Sequence, residues 1–262
     1  MKRMQKTVLG TVVAAAILGL SSAAQARLAT AQEVSFTNPQ GRAIPATLFR
    51  PAESGARPAV ILLPGCADAS ANAADAYRTW GERLAAAGYV ALLVDSDRLR
   101  GAAEGCDSGT AGVRERAADA DGAYRFLAAS GFAAADRVGL IGWSQGASGA
   151  LAALDASRAP GGASRFRTAV AFHPNCVLDD DFGGVVRSTW KPYAPVRILH
   201  STGDLHYRDG SCIRRIARAQ QLGAPSVSLV THYGAAGGVE TPAVWEVAGA
   251  EAMDLFHSLL KY

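Results

Sequence analysis

Short apolar runs alternate with longer amphipathic stretches along most of the chain. The apolar runs lie at residues 59–63, 90–94, 138–141, 169–172, 196–199 and 227–230. Helical periodicity is found at residues 70–87, 111–129, 145–157, 211–221 and 242–261. Because an unbroken apolar run is typical of a strand buried on both faces, this pattern predicts a parallel sheet with helices on each side.

A different pattern precedes the first of these runs. Residues 34–36 and 43–49 flank the turn cluster Asn38-Pro39-Gln40-Gly41, which predicts an antiparallel hairpin. A leading hairpin followed by parallel strands and crossover helices is the order of the α/β-hydrolase fold. We therefore expect an α/β protein with a mostly parallel sheet of about eight strands and helices on both faces. No linker interrupts residues 27–262, which we expect to form a single domain.

The first 26 residues have the pattern of a Sec signal peptide. Lys2, Arg3 and Lys6 precede an apolar stretch at residues 8–20, and Ala24-Gln25-Ala26 has the small residues that signal peptidase requires. The stretch is short for a membrane span, and no cysteine follows the cleavage site to carry a lipid. We expect cleavage after Ala26 and a periplasmic or secreted protein without a membrane anchor.

Charge excludes one class of partner. The chain of 262 residues has 26 basic and 23 acidic side chains, and the leader contains three of the basic ones and none of the acidic ones. The exported part is therefore formally neutral, with 26 − 3 = 23 basic against 23 acidic groups. The exported part contains no basic stripe of the kind that predicts nucleic-acid binding. The motifs imply no metal and no organic cofactor, so the expected partner is a small-molecule substrate.

The chain contains four cysteines, Cys66, Cys106, Cys176 and Cys212. In an exported protein this number predicts two disulfides, and the spacing does not match a zinc or thioredoxin motif. Four cysteines allow three pairings. We favour Cys66–Cys106 and Cys176–Cys212, which keep the partners in neighbouring loops.

The segment Gly142-Trp143-Ser144-Gln145-Gly146 is a G-x-S-x-G motif. It directly follows one apolar run and directly precedes a helical stretch, which predicts the strand–turn–helix of a nucleophile elbow. Ser144 is then the candidate nucleophile, and the backbone N–H of Gln145 is one expected donor of an oxyanion hole. The loop after residues 59–63 is expected to supply the other donor, the N–H of Cys66.

With the elbow placed, the chain resembles the dienelactone hydrolase family of α/β-hydrolases, in particular its exported branch with a serine nucleophile. The resemblance spans residues 58–239 and rests on several segments: 58–66, 84–90 with 94–96, 105–107, 136–138 with 142–146, 169–176 and 190–195. It implies hydrolysis of a carboxylic ester or lactone through an acyl-enzyme. The founding members of the family use cysteine where this chain has Ser144.

The same resemblance implies an orienting acid and a base. Asp204, in the segment Ser201-Thr202-Gly203-Asp204, matches the family's acid. The family's catalytic histidine follows the last strand, but Gly237 stands at that position here. We take His232, at the end of the last predicted strand, as the candidate base. Trp143 and His173 are candidate residues of the substrate pocket.

The missing histidine leaves other hypotheses open. The chain could be a catalytically impaired hydrolase or a periplasmic binding protein on the same fold, because fold does not determine function. It could also be a histidine-to-glycine variant of an active enzyme. Among the other histidines, we expect His200 and His257 to be packing residues, and His206 lies close to Asp204 in sequence.

Overall fold

The predicted apolar runs form the strands of one sheet. The structure is a computed structural model that describes residues 30–65, 71–97, 110–158, 165–176, 189–224, 226–233 and 242–261. Within these residues the sheet has eight strands. They are β1 (Thr30–Thr37), β2 (Ala43–Arg50), β3 (Arg57–Leu63), β4 (Val90–Val94), β5 (Ala133–Trp143), β6 (Thr168–Phe172), β7 (Val196–Ser201) and β8 (Val227–His232).

The strands follow the order β1-β2-β4-β3-β5-β6-β7-β8. The hairpin strands β1 and β2 are antiparallel to each other, and β2 is antiparallel to β4. All remaining pairs are parallel. The hairpin turn is held by Asn38, whose Oδ1 accepts hydrogen bonds from the backbone N–H groups of Gln40 and Arg42, both at 3.0 Å. This order confirms the predicted fold class.

Helices cover both faces of the sheet. They are α1 (Ala71–Ala86), α2 (Thr110–Ala129), α3 (Gln145–Ala153), α4 (Leu205–Arg208), α5 (Ser211–Gln221) and α6 (Pro242–Leu260). Residues of α2, α3 and α5 share one apolar cluster, and residues of α1 and α6 share the other. Neighbouring strand residues face opposite clusters, as Leu140 and Ile141 of β5 do. This is why central strands such as β3 and β4 contain consecutive apolar residues rather than an alternating pattern.

Two helices differ from the sequence prediction. The predicted helix at 145–157 ends at Ala153, and the residues Ala156–Arg158 form a separate 3₁₀ turn. The break is stabilised by Asp155, whose Oδ1 accepts a hydrogen bond from the N–H of Ser157 at 2.9 Å. The short helix α4 was not predicted, because four residues are too few to show helical periodicity.

A disulfide joins Cys176, after β6, to Cys212 on α5, and the two Cα atoms are 5.1 Å apart. Both side chains are buried. This pair agrees with the favoured pairing. The Cys66–Cys106 pair and the predicted leader lie outside the described residues. No helix in the described ranges is long and apolar enough to cross a bilayer.

Candidate active site

Ser144 stands at the turn between β5 and α3. Its backbone has φ 50° and ψ −118°, a conformation that non-glycine residues rarely adopt. The turn is fixed on one side by its N–H, which donates to the carbonyl of Phe172 on β6 at 2.8 Å. The side chain is exposed to solvent. An exposed hydroxyl therefore lies at the N-terminus of a helix, where the helix dipole favours negative charge.

The two glycines of the motif make this turn possible. A Cβ atom on Gly142 would overlap the backbone of Gly146 and Ala147. A Cβ atom on Gly146 would overlap the carbonyl oxygens of Leu63 and Pro64. The strand, the helix and the loop after β3 thus approach one another more closely than any side chain allows. The strand–turn–helix context that the motif predicts is present.

The loop after β3 lies against the elbow. A Cβ atom on Gly65 would be 3.2 Å from the carbonyl oxygen of Trp143 and 3.3 Å from Cβ of Ser144. The N–H of Gly65 donates to the hydroxyl of Tyr77 on α1 at 3.2 Å. Tyr77 in turn packs on Trp143, with ring centroids 4.9 Å apart. Cys66, the expected second oxyanion donor, is the next residue and lies outside the described range.

Trp143 lies beneath the elbow rather than at its surface. Its side chain is 2% exposed and stacks on Phe172, with centroids 5.6 Å apart and planes at 6°. Trp80 packs against both rings, with its ring centroid 5.8 Å from that of Trp143 and 6.0 Å from that of Phe172. These rings form a rigid apolar floor for the nucleophile turn. Contact of Trp143 with a substrate stays a prediction.

A buried arginine that sequence analysis missed holds Gln145. Nε of Arg116, on α2, donates to Oε1 of Gln145 at 2.9 Å. Its NH2 group donates to both carboxylate oxygens of Asp97, after β4, at 2.8 Å. Arg116 is 2% exposed. The available signal was an arginine at helical spacing among buried positions such as Val113 and Ala117, where a charged side chain requires partners.

Asp204 lies three residues beyond β7 and has two imidazole neighbours. Its Oδ2 is 3.5 Å from Nδ1 of His173, and its Oδ1 is 3.5 Å from Nδ1 of His200. Oδ1 also caps α4 by accepting a hydrogen bond from the N–H of Tyr207 at 3.4 Å. Burial by itself raises the pKa of Asp204, but the two histidines outweigh it and hold that pKa well below its usual range. The carboxylate is therefore ionised throughout the physiological pH range.

The two histidines beside Asp204 are both buried. His200 is fully buried, and its Nε2 lies 3.2 Å from Sγ of Cys212 in the disulfide. His173 is 7% exposed and meets His200 edge-on, with ring centroids 5.4 Å apart. The sequence placed His173 at the edge of the site but gave no sign that it lies next to Asp204. His200 is a core residue as expected, although it also contacts the candidate acid.

Two further histidines, His232 and His257, lie on β8 and on α6. His232 is the last residue of β8, and its carbonyl accepts a hydrogen bond from the N–H of Thr202 at 2.8 Å. Partial burial lowers the pKa of His232. His257 packs edge-on against Tyr89, as a packing residue should, with centroids 5.7 Å apart. Gly237 and the side chain of His206 fall outside what the structure describes.

Among the residues that the structure describes, two groups of side chains have spacings compatible with a metal ion. One is His173, His200 and Asp204, whose ligand atoms lie within 4.8 Å of one another. In that group each carboxylate oxygen already faces an imidazole nitrogen. The other group contains His200 with Cys176 and Cys212, whose sulfurs are joined in the disulfide and are not thiolates. The first group is therefore a carboxylate–imidazole cluster.

The depressed pKa of Asp204 predicts how stability varies with pH. A carboxylate whose pKa is lower in the folded chain stabilises the fold above the unfolded pKa of about 4, and this stabilisation is lost as the pH falls below that value. Urea unfolding between pH 3 and pH 7 should show Asp204→Asn less stable than the parent at pH 6. The difference should shrink toward pH 3. The exposed Asp254 provides a matched control, Asp254→Asn; a parallel pH profile for the two variants would contradict this prediction.

Comparisons with known proteins agree with the architecture. No protein-family model matches the chain, and no curated protein matches it by sequence. Among solved structures, a proposed dienelactone hydrolase from Klebsiella pneumoniae superposes with a TM-score of 0.67 at 18% identity, covering 87% of this chain and 98% of that one. A dienelactone hydrolase-like promiscuous phosphotriesterase from metagenomic libraries gives 0.66 at 17% identity, covering 88% and 99%.

A third solved structure adds an esterase. Esterase 2 of Thermogutta terrifontis, phosphorylated by paraoxon, has a TM-score of 0.65 at 17% identity and covers 87% of this chain and 94% of its own. Identities of this size establish architecture rather than activity. The chain therefore has the α/β-hydrolase fold, and the solved structures that it resembles include a proposed dienelactone hydrolase and a dienelactone hydrolase-like phosphotriesterase, in agreement with the resemblance found in its sequence.

Proposed function

We propose that the chain is a serine hydrolase of the dienelactone hydrolase type, which cleaves carboxylic esters or lactones through an acyl-enzyme on Ser144. The observation that carries this proposal is the exposed Ser144 in a strained backbone conformation at the start of α3. A non-glycine residue with positive φ costs about 1–3 kcal/mol and is retained where the surrounding structure imposes it. Here the strain directs a hydroxyl away from the sheet and toward solvent.

Electrostatic stabilisation of the oxyanion is the second part of the proposal. The N–H groups of Gln145 and Cys66 are the proposed donors, and one such donor is worth roughly 10²–10³-fold in rate. Two observations support a fixed geometry. Arg116 holds the side chain of Gln145, and Tyr77 holds the N–H of Gly65, next to Cys66. The first contact restrains Gln145 itself, and the second restrains the residue before Cys66.

The third part is the pair of residues that activates the nucleophile, an orienting acid and a general base. Asp204 is the proposed orienting acid, because it is ionised and faces imidazole nitrogens. A neutral serine needs a base to take its proton as the Oγ–carbonyl bond forms. The sequence offers His232 as a candidate for this base, and the contacts around Asp204 offer His173. The acyl-enzyme is then released by water, so that the net reaction consumes one ester and one water and gives one acid and one alcohol.

The neighbours' names favour the same chemistry. They include a proposed dienelactone hydrolase, an esterase and a dienelactone hydrolase-like phosphotriesterase. We propose a small to medium apolar acyl ester or lactone as substrate, without metal or cofactor. From the predicted leader we propose that the reaction takes place in the periplasm or outside the cell.

The proposal is tested by assaying residues 27–262 with p-nitrophenyl butyrate and with a simple aromatic lactone. We expect hydrolysis, with an initial burst of p-nitrophenol close to one per protein molecule if deacylation is slower than acylation. Addition of EDTA should leave the rate unchanged. A folded protein that hydrolyses neither substrate would favour the impaired or binding-protein alternative.

A further inference from the structure

The proposed function requires a base near Ser144. A histidine other than His232 directly follows β6, the strand next to the one that leads to Ser144. Trp143 of β5 and Phe172 of β6 are paired in register, and the next residues are Ser144 and His173. Neighbouring strands are about 4.8 Å apart. Ser144 and His173 therefore occupy equivalent positions at the carboxyl edge of the sheet, one strand apart.

The backbone of His173 is strained in the same way as that of Ser144. Its φ is 51°, and these two are the non-glycine residues with positive φ in the described part of the chain. Its N–H donates to the carbonyl of Leu199 on β7 at 2.8 Å, which fixes the residue against the strand that leads to Asp204. A conformation of this kind is uncommon for histidine and persists where its surroundings impose it.

The ring of His173 is oriented by the acid. Its Nδ1 lies 3.5 Å from Oδ2 of Asp204 and is shielded from solvent. Within the described residues Nδ1 has no hydrogen bond, and the carboxylate of Asp204 faces it. In a serine triad the base presents Nδ1 to the acid and Nε2 to the nucleophile. We propose that His173 is the general base of this site, with Asp204 as its orienting acid.

His232 is less well placed for that role. The strand order β5-β6-β7-β8 puts it three strands from Ser144, about 14 Å across the sheet at the usual strand spacing. Its backbone pairs with Ser201 of β7 and accepts the hydrogen bond from Thr202. Its Nε2 is buried and has no hydrogen-bond partner in the described ranges. Reaching Ser144 would require the end of β8 to separate from β7.

His200 is not placed to be a second base. It is fully buried, its Nε2 lies against the disulfide sulfur of Cys212, and its Nδ1 faces Asp204. A disulfide sulfur has no proton to donate, so a hydrogen bond there requires Nε2 to be the donor. Nε2, the nitrogen that a triad base presents to the nucleophile, is therefore occupied by the disulfide in His200.

The proposed step balances in protons and electrons. Nε2 of His173 accepts the Oγ proton of Ser144 as the Oγ–carbon bond forms and the carbonyl becomes an oxyanion. As the oxyanion collapses, the bond to the leaving alkoxide breaks and His173 returns the proton to it. In deacylation His173 takes a proton from water, and it protonates Oγ when the acyl bond breaks.

The test uses His173→Gly in the p-nitrophenyl butyrate assay. Glycine adopts φ 51° without strain, so the fold should be kept, and the vacated volume can admit imidazole. We expect kcat to fall roughly 10²–10⁴-fold, and added imidazole to restore at least about tenfold. The pH dependence of kcat should flatten in the variant. A loss with no imidazole rescue, in a variant that unfolds at the parent's temperature, would overturn the assignment.

Two further variants separate the base from the function itself. His257→Gln, a histidine outside the site, is the control and should keep the parental rate; His232→Gln should lose far less than His173→Gly. If Ser144→Ala is inactive but His173→Gly is as active as the parent, the assignment of the base fails and the proposed function stands. If the parent is inactive, or becomes active only as Gly237→His, both proposals fail for the chain as it stands.

Discussion

Replacing Ser144 with alanine is expected to lower kcat/KM for p-nitrophenyl butyrate by roughly 10³- to 10⁶-fold. The proposed reaction passes through a bond between Oγ and the acyl carbon, and alanine has no atom that can form it. Residual activity would come from the oxyanion donors and from substrate binding alone. The expected effect is on kcat, because the side chain touches the reacting carbon rather than the rest of the substrate.

The matched control is Ser258→Ala on α6. The exposed hydroxyl of Ser258 donates a hydrogen bond to the carbonyl of Leu255, and Ser258 is far along the chain from Ser144. This variant should keep the parental kcat and the parental unfolding temperature. Steady-state kinetics and thermal unfolding on all three proteins provide the comparison. Parental activity in Ser144→Ala would assign any hydrolysis to another group and would remove the basis of the proposed mechanism.

Replacing Gly146 with alanine is expected to have the largest effect on stability. The added Cβ would lie on the carbonyl oxygens of Leu63 and Pro64, and both are backbone atoms that cannot rotate away. Overpacking costs typically about 1–3 kcal/mol, and we expect the upper end of that range here because the blocking atoms are backbone. The change should also displace α3 from the end of β5, so that any protein that still folds loses activity as well.

Gly249→Ala on α6 is the control for this prediction. Its Cβ would meet the ring atoms of Trp80 at 3.6 Å, which is ordinary contact, and alanine favours a helix by up to about 1 kcal/mol over glycine. Urea unfolding should therefore place Gly146→Ala well below the parent and Gly249→Ala at or above it. Equal stabilities for the two variants would mean that the elbow is not as tightly packed as described.

Sequence patterns predict the central strands well because strands such as β3 and β6 are buried on both faces. All six apolar runs lie within strands, and the predicted helix at 211–221 matches α5. Helix ends were less predictable. The end of α3 at Ala153 depends on two contacts. Asp155 caps the turn that follows, and the N–H of Tyr193, which is distant in sequence, donates to the carbonyl of Leu154 at 3.0 Å.

The candidate site was predictable only where one segment contains the signal. The elbow at Ser144 combines glycines, nucleophile and helix start in five consecutive residues. The contacts of Arg116 and the approach of His173 to Asp204 join residues 29 and 31 positions apart along the chain. Such contacts depend on the strand order, which local patterns do not determine. The roles assigned to His232, Cys66 and Gly237 stay predictions from the sequence.

Covalent labelling tests the central claim, that Ser144 is an activated nucleophile. A fluorophosphonate should react with residues 27–262 by forming a phosphorus–oxygen bond to Oγ and releasing fluoride. Intact-mass measurement should show one added phosphonyl group, and peptide mapping should locate it in the segment that contains Ser144, with no label on Ser144→Ala. A folded protein that stays unlabelled, or that carries the label on another residue, would contradict the account.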